Sequence, residues 1–500
     1  MERQMPDKAT RIEKDSMGEM KVPAAALYGA STQRAVENFP VSGRPVPHAV
    51  IHAYGHLKAA CAAVNHRLGR LNKHRADAII RAATEIGMGR HHDHFPIDIF
   101  QTGSGTSTNM NANEVIANLV CLANGAPIGS SKNHDYIGDS AEGHGVHPND
   151  HVNMGQSSND TFPSAIRIAA AYDIHHHLLP AIRTMAHKLD WQAKEWDRIV
   201  KIGRTHLQDA TPIRLGQEFS GYAEQMKKAE QRALEALDAL LELPIGGTAV
   251  GTGINTHEDF GRLVCDHLAH TLGLHFREAA NHFEAQHAQD ALVEASGHLK
   301  TIAISLTKIA GDIRLMGCGP RCGIGELRIP ATQPGSSIMP GKVNPVICES
   351  LIMVSCQVIG NDAAIAAGNM GGVGSILDLN VAMPMMADNL ISSIHLLSKG
   401  MHVFTDKLLA GLKPDEKRCA ELIEGSLAMC TTLVPVIGYD ASADLAKRAF
   451  AEGVTVRQLA ESVLVGTHDI SGRTITKDVL DGALDPVAMT HPGGEGSAGG

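Results

Sequence analysis

Apolar positions recur through the middle of the chain at three- and four-residue steps. Ile182, Met185, Leu189, Ala193, Trp196 and Val200 are spaced 3, 4, 4, 3 and 4. Phe219, Tyr222, Met226, Ala229, Ala233, Leu237 and Leu240 follow at 3, 4, 3, 4, 4 and 3. Such steps gather side chains on one face of an α-helix, so both runs predict long, one-sided helices. A helical pattern begins after Pro163, a residue suited to a first turn. Patterns rich in Ala, Leu and Ile at 284–315, 345–367 and 380–409 extend the series. Long helices with a narrow aliphatic stripe must bury it against one another, which makes a bundle. Before them, short helical patterns alternate with Gly- and Asn-rich loops, and 125–145 reads as a polar surface loop. From about Lys413 the helical patterns shorten, and Thr490–Gly500 reads as a disordered tail. The expectation is a mainly α protein with an N-terminal domain at 1–155, a central helical bundle at 156–412 and a small helical C-terminal domain at 413–500.

Composition sharpens this picture. Aromatics are only 4% of 500 residues and glycine supplies 50, so the core is aliphatic and favours close-packed helices over a β-sandwich. The net charge of −10 argues against nucleic acid as a partner, and an anionic substrate needs a local positive site. Nine scattered cysteines read as reduced thiols, hence an intracellular, cytoplasmic setting. The first twenty residues lack the apolar core of a signal peptide. No run of about 18 uninterrupted apolar residues suggests a membrane span.

Four polar, Gly-rich segments sit where helical patterns end: Thr102–Glu114, His147–Asp160, Gly203–Pro212 and Gly335–Ser350. Hydroxyl, amide and backbone donors at helix N-termini bind carboxylate or phosphate oxygens, although turns and caps use the same residues. The segment PGSSIMPGKVN is not a phosphate-binding P-loop. Five residues separate Gly335 from Gly341-Lys342, Val343 follows, and Pro340 removes a donor. A mobile loop offering two hydroxyls and a lysine is the better reading. His144, His147 and His151, and His91, His92 and His94, are loosely spaced like metal ligands, but no metal is expected. His175–His177 read as solvated. Cys318 and Cys322 lack the spacing an iron–sulfur hydratase needs.

GSSIMPGKVNP (Gly335–Pro345) resembles the G-S-S-x-M-P-x-K-x-N signature of the fumarase/aspartase superfamily. The other three segments resemble it in the same order, and the similarity spans roughly residues 10–480. His206 in GRTHLQDA stands where aspartases carry Gln, and with Gly319–Glu326 and Ile437–Asp440 it is similar to the class II, iron-independent fumarases. The resemblance implies a fumarase/aspartase-like fold and a homotetramer whose active sites are shared by three subunits. It implies reversible hydration of fumarate to (S)-malate in the tricarboxylic acid cycle, through an aci-carboxylate and without a cofactor. Aspartate ammonia-lyase is the alternative. By the same resemblance Ser336 is the base, and His206, oriented by Glu349, is the second catalytic group. Ser104, Gly105, Thr106, Ser157, Ser158, Asn159, Thr205, Ser337, Lys342, Val343 and Asn344 bind substrate. His147, Pro148, Asn149 and Asp150 match a second anion site. The loop before His147 is longer than usual. Gly368–Pro384 departs from the family pattern, being richer in Gly, with Asp378 where Glu is usual.

Overall fold

The computed structural model describes residues 9–138 and 143–492. Part of the 125–145 loop and most of the tail expected at Thr490–Gly500 lie outside them. The chain is mainly helical and divides into two compact units. One comprises residues up to Pro180 with Glu230–Ala303 and Val354–Ser398; the other comprises Ala181–Ala229, Ile304–Met353 and Lys399 onward.

In the first unit, strands Thr10–Asp15 and Gly18–Pro23 form an antiparallel hairpin that the periodicity does not reveal. Helix His48–Arg67 packs on Lys73–Gly87 and on Ser158–Asp173, around Tyr54, Leu57, Ile79, Phe162 and Ile166. Helix Thr106–Ala123 is fixed by its buried Glu114. That carboxylate accepts the backbone N–H groups of Gly29, Ser31 and Thr32 and the Thr32 hydroxyl, at 2.7–3.1 Å. A buried carboxylate is stable where a helix N-terminus supplies its donors, and here helix Ala30–Asn38 does so.

The first long helix starts earlier than Pro163. It runs Ser158–Asp173, because Ser157 and Asp160 form a capping box that satisfies its first amides. Pro163 sits inside it. A single π turn, Ile174–Leu178, leads into Leu179–Glu195. The predicted stripe Ile182–Trp196 is buried, but the helix ends at Glu195, and Val200 begins a strand. The second stripe lies wholly within Leu215–Leu240, and all seven of its residues are buried. The later patterns become Asp290–Met316, Val346–Gly368 and Met383–Phe404.

In the second unit, strands Val200–Thr205 and Gln208–Arg214 pair antiparallel, with helix Glu416–Gly425 on the first. Trp196, Phe219 and Tyr222 stack edge to face beside them, at 4.7 and 5.4 Å between ring centroids. The C-terminal helices are short, as expected, and close their own core of Leu433, Leu445, Leu459 and Leu480.

Candidate active site

Site residues from the first unit gather at two helix N-termini. Gly105 precedes helix Thr106–Ala123 with φ +73°, and a Cβ there would lie 2.1 Å from the Phe162 ring. Only glycine lets the Thr106 turn approach helix Ser158–Asp173 this closely. The approach brings three hydroxyls into a run: Ser104 Oγ to Thr106 Oγ1 at 2.8 Å, and Thr106 Oγ1 to Ser158 Oγ at 2.7 Å. Ser158 donates onward to Asn159 Oδ1 at 3.3 Å, and Asn159 Nδ2 donates to Ala249 O at 2.8 Å. Ser157 Oγ accepts the Asn159 amide. The departing segment Gly368–Pro384 borders this group. Met383 N–H donates to Gly103 O, and Asp378 lies on the exposed hairpin between Ser375–Ile376 and Leu379–Asn380.

Beneath this group lie charges that the sequence reading passed over. Asp160 is fully buried and accepts the amides of Ser157, Gly246 and Thr248 at 2.9–3.2 Å. Burial nevertheless pushes its carboxyl up to about 6. Lys58, also fully buried, donates to three side-chain amide oxygens. Each left a sequence signal. Ser157-x-x-Asp160 has capping-box spacing, and Lys58 interrupts the apolar run of GHLKAACAAVN.

His147, Pro148, Asn149 and Asp150 form the start of a π turn, Pro148–Val152. His147 Nδ1 accepts the amides of Asn149 and Asp150 at 3.2 and 3.1 Å, and burial lowers the pKa of its ring. Both amides are spent on the imidazole, so an anion would compete with His147 for them. His147 N–H donates to His151 Nδ1. Among the described residues no three His, Cys, Asp or Glu side chains are arranged to hold a metal ion.

In the second unit the Gly203–Pro212 segment is a hairpin rather than a loop between helices. Thr205 pairs with Gln208, leaving His206 and Leu207 as a two-residue turn. Both have positive φ, +56° and +61°, the combination that closes a right-twisted hairpin. Thr205 and His206 are exposed. Behind them Arg204 Nη1 meets both oxygens of the wholly buried Glu326, at 2.9 and 3.0 Å. Lys201 approaches the same carboxylate at 3.4 Å and Glu218 at 3.0 Å. Glu326 lies 122 positions from Arg204, so no spacing would have revealed its place among these cations.

The Gly335–Asn344 loop curls on itself. A Cβ at Gly335 would lie 2.0 Å from Lys342 O, and Asn344 Nδ2 donates to Gly335 O. The loop borders an open depression of about 480 Å³ lined by Ser336, Met339, Lys342 and Val343 among others. Ser336 Oγ accepts the backbone N–H groups of Ile338 and Met339 at 3.2 and 3.0 Å. Ser337, Lys342 and Val343 are exposed. Among the described residues no carboxylate pairs with Lys342, and none pairs with His206. Glu349 lies exposed in the first turn of helix Val346–Gly368. The structure thus brings the hydroxyl group together within one unit, and the signature loop within the other. It does not pair His206 with Glu349 inside one chain.

The chain as a whole has close relatives among known proteins. The lyase family model matches residues 18–360, and the fumarase C C-terminus model matches 429–491. Class II fumarate hydratase of Corynebacterium glutamicum is 51% identical, over 97% of this chain and 98% of that protein. Its namesake in Mycobacterium tuberculosis is 51% identical over 96% of each. The crystal structure of class II fumarase from Schistosoma mansoni superposes with a TM-score of 0.89 at 36% identity, covering 97% of this chain and all of that one.

Proposed function

The chain belongs to the class II fumarases, lyases of the fumarase/aspartase fold, and from that premise we propose that it reversibly hydrates fumarate to (S)-malate. The observation that carries the reading is Ser336 Oγ seated on two backbone amides. A serine is a poor base, and two N–H donors stabilise its alkoxide where the loop closes over substrate. In the malate-to-fumarate direction that oxygen takes a C3 proton, and the electron pair of the C–H bond enters the adjacent carboxylate as an aci-carboxylate. Lys342 and Asn344 stabilise the added charge. The C2–O bond then breaks, and His206 gives the leaving hydroxide a proton so that it departs as water. The donors of Ser104, Thr106, Ser157, Ser158, Asn159 and Thr205 hold the carboxylates, with Gly105, Ser337 and Val343 shaping the turns beside them. By the resemblance the His147–Asp150 turn is a second anion site, which an anion would enter by displacing the His147 ring from the Asn149 and Asp150 amides.

The reading includes a homotetramer in which three copies complete each site, so that Glu349 of one copy orients His206 of another. Two observations support assembly. Helix Val346–Gly368 is long and apolar enough to cross a membrane by length and composition, yet less than half of it is buried. Met353 and Ile359 face outward at 66% and 41% exposure. Moreover, a Cβ at the helix-interior glycines Gly221, Gly297, Gly311 and Gly360 meets nothing within 4 Å. Glycine inside a helix costs about 1 kcal/mol relative to alanine, so its use there fits close approach by another copy. On the resemblance, the reaction belongs to the cytoplasmic tricarboxylic acid cycle. Fumarate absorbance followed with purified protein, with malate identified at equilibrium, tests the proposal. No hydration, or ammonia released from aspartate, would overturn it.

A further inference from the structure

Helix His48–Arg67 carries a lysine on its buried face. Lys58 is 0% exposed, and its Nζ donates to Asn109 Oδ1 at 2.7 Å, Gln156 Oε1 at 2.9 Å and Asn153 Oδ1 at 3.0 Å. Three oxygens match the three N–H groups of an ammonium; a neutral amine has only two to give. None of these partners is a carboxylate. The charge is compensated by amide dipoles, by the face of the Tyr54 ring 5.9 Å away and, at longer range, by Asp160; the buried Cys61 thiol, which burial keeps protonated, is the other titratable group beside it. An isolated buried cation is costly, and dipoles aimed at it offset that cost only while they stay in place.

The segments holding those dipoles also carry the candidate substrate contacts. Asn109 lies one turn into helix Thr106–Ala123, its N–H bonded to Gly105 O. Gln156 immediately precedes Ser157. Asn153 is held from both sides: it accepts from Asn109 Nδ2 and Asn113 Nδ2 at 3.1 and 3.2 Å, and donates to Gln156 O at 3.2 Å. One ammonium therefore ties the Thr106 turn to the loop entering helix Ser158–Asp173. It also sits behind two helix N-termini, where its field adds to their positive ends.

We propose that Lys58 is a positioning residue for dicarboxylate binding: its ammonium holds the Thr106 and Ser157–Asn159 turns in register and supplies positive charge beneath them. This inference rests on the fumarate reading above. It assigns Lys58 no contact with substrate and no proton transfer. Burial pulls the group down to about 7. Raising the pH through that value removes the charge and one of the three bonds, so KM rises on the alkaline side.

Two variants of the full-length enzyme test it. Lys58→Met removes charge and donors at similar volume. Gln156→Glu keeps an oxygen for Lys58 and cancels the charge with a carboxylate, losing the bonds that Gln156 Nε2 gives to Val152 O and Met154 O; Gln156→Met, which loses those same bonds without adding a charge, is the control. The first two are each expected to raise KM for fumarate about 10–100-fold, the loss expected for hydrogen bonds to a charged group. Each should weaken succinate, a saturated dicarboxylate, in parallel, while kcat changes much less because Ser336 and His206 are untouched. Lys58→Met should also lose the alkaline rise in KM. If Lys58→Met does not fold, Gln156→Glu decides. Wild-type KM in a folded variant, or a fall in kcat at unchanged KM, defeats the proposal. Wild-type turnover checks the fumarate reading separately. Should the wild type fail to hydrate fumarate, that reading is lost and succinate binding alone judges Lys58. Equal succinate affinity in the wild type and both variants then defeats this inference too.

Discussion

Arg204 sets one guanidinium nitrogen against both carboxylate oxygens of Glu326, which is wholly shielded from solvent. Thr205 and His206 follow Arg204 directly, so this pair anchors the hairpin that presents the imidazole. Lys201 shares the same carboxylate. Glu326→Gln leaves two cations facing a neutral amide. Breaking a buried ion pair from one side costs about 3–5 kcal/mol, and a clear fall in Tm is expected. Glu326→Gln, Lys201→Met together should recover part of that loss, since a cation is removed with its partner. Thermal unfolding of the two variants checks this.

His206 can be replaced without disturbing its turn. Asn tolerates the left-handed region that φ +56° requires, so His206→Asn should fold as the wild type does. Turnover should fall by about 10²–10⁴, the share of general acid–base catalysis. His206→Gln should release no ammonia from aspartate. Near-normal hydration by His206→Asn would remove the imidazole from the chemistry.

The signature loop separates binding from proton removal. On the roles proposed above, Ser336→Ala should lower kcat while substrate still binds, because Lys342 and Asn344 would keep the carboxylate contacts assigned to them. Lys342→Ala should change kcat and KM together, by about 10²–10³ in rate for one lost charge stabiliser. A nitro analogue of the malate carbanion provides the direct measurement. If Lys342→Ala binds it as tightly as wild type, the loop does not belong to the active site.

Assembly should respond to the open glycines. Gly360 lies inside the apolar, outward-facing helix Val346–Gly368, with no atom within 4 Å of its added Cβ. On the proposed tetramer, Gly360→Leu should therefore shift the sedimenting species toward smaller forms and reduce activity with it. A fully active wild-type monomer at assay concentration would remove the shared-site model.

Acid should weaken the fold through its half-buried imidazoles. Burial draws His52 and His151 down from 6.5 to about 4. As pH falls below 6.5 the unfolded chain takes up protons that these folded rings refuse, so stability declines progressively toward pH 4. Neutral pH carries none of this penalty. A plot of Tm against pH should drop through that window, and His52→Gln should make the slope shallower. Equal slopes would show that His52 takes up its proton without cost.

Stripes, loops and order were readable because each is a local pattern. Phe219 to Leu240 needed only helical spacing, and the signature loop only its own ten residues. The hairpin carrying His206 was not readable, because GRTHLQDA has no alternation strong enough to mark two strands and its turn contains no glycine. The start of helix Ser158–Asp173 was misplaced because Pro163 is the more conspicuous signal, whereas the capping box does the work. Lys58, Asp160 and Glu326 escaped for a different reason. A buried charge is defined by what surrounds it, and Lys58 meets its partners 51 to 98 positions away.

The run Ser104–Thr106–Ser158 has two directions of polarisation, because each hydroxyl rotor can give its proton forward or backward. With Ser158 donating to Asn159 Oδ1, all the protons point one way along the row. If a carboxylate binds here as proposed, it would turn the rotor it meets, and the neighbours could follow without displacing a heavy atom. The row can thus act as a reversible wire of dipoles, already in position for whichever side of the equilibrium arrives. Such a row would suit the reversible hydration proposed above: forward and reverse reactants would meet the same atoms with the protons redirected, at little reorganisation cost.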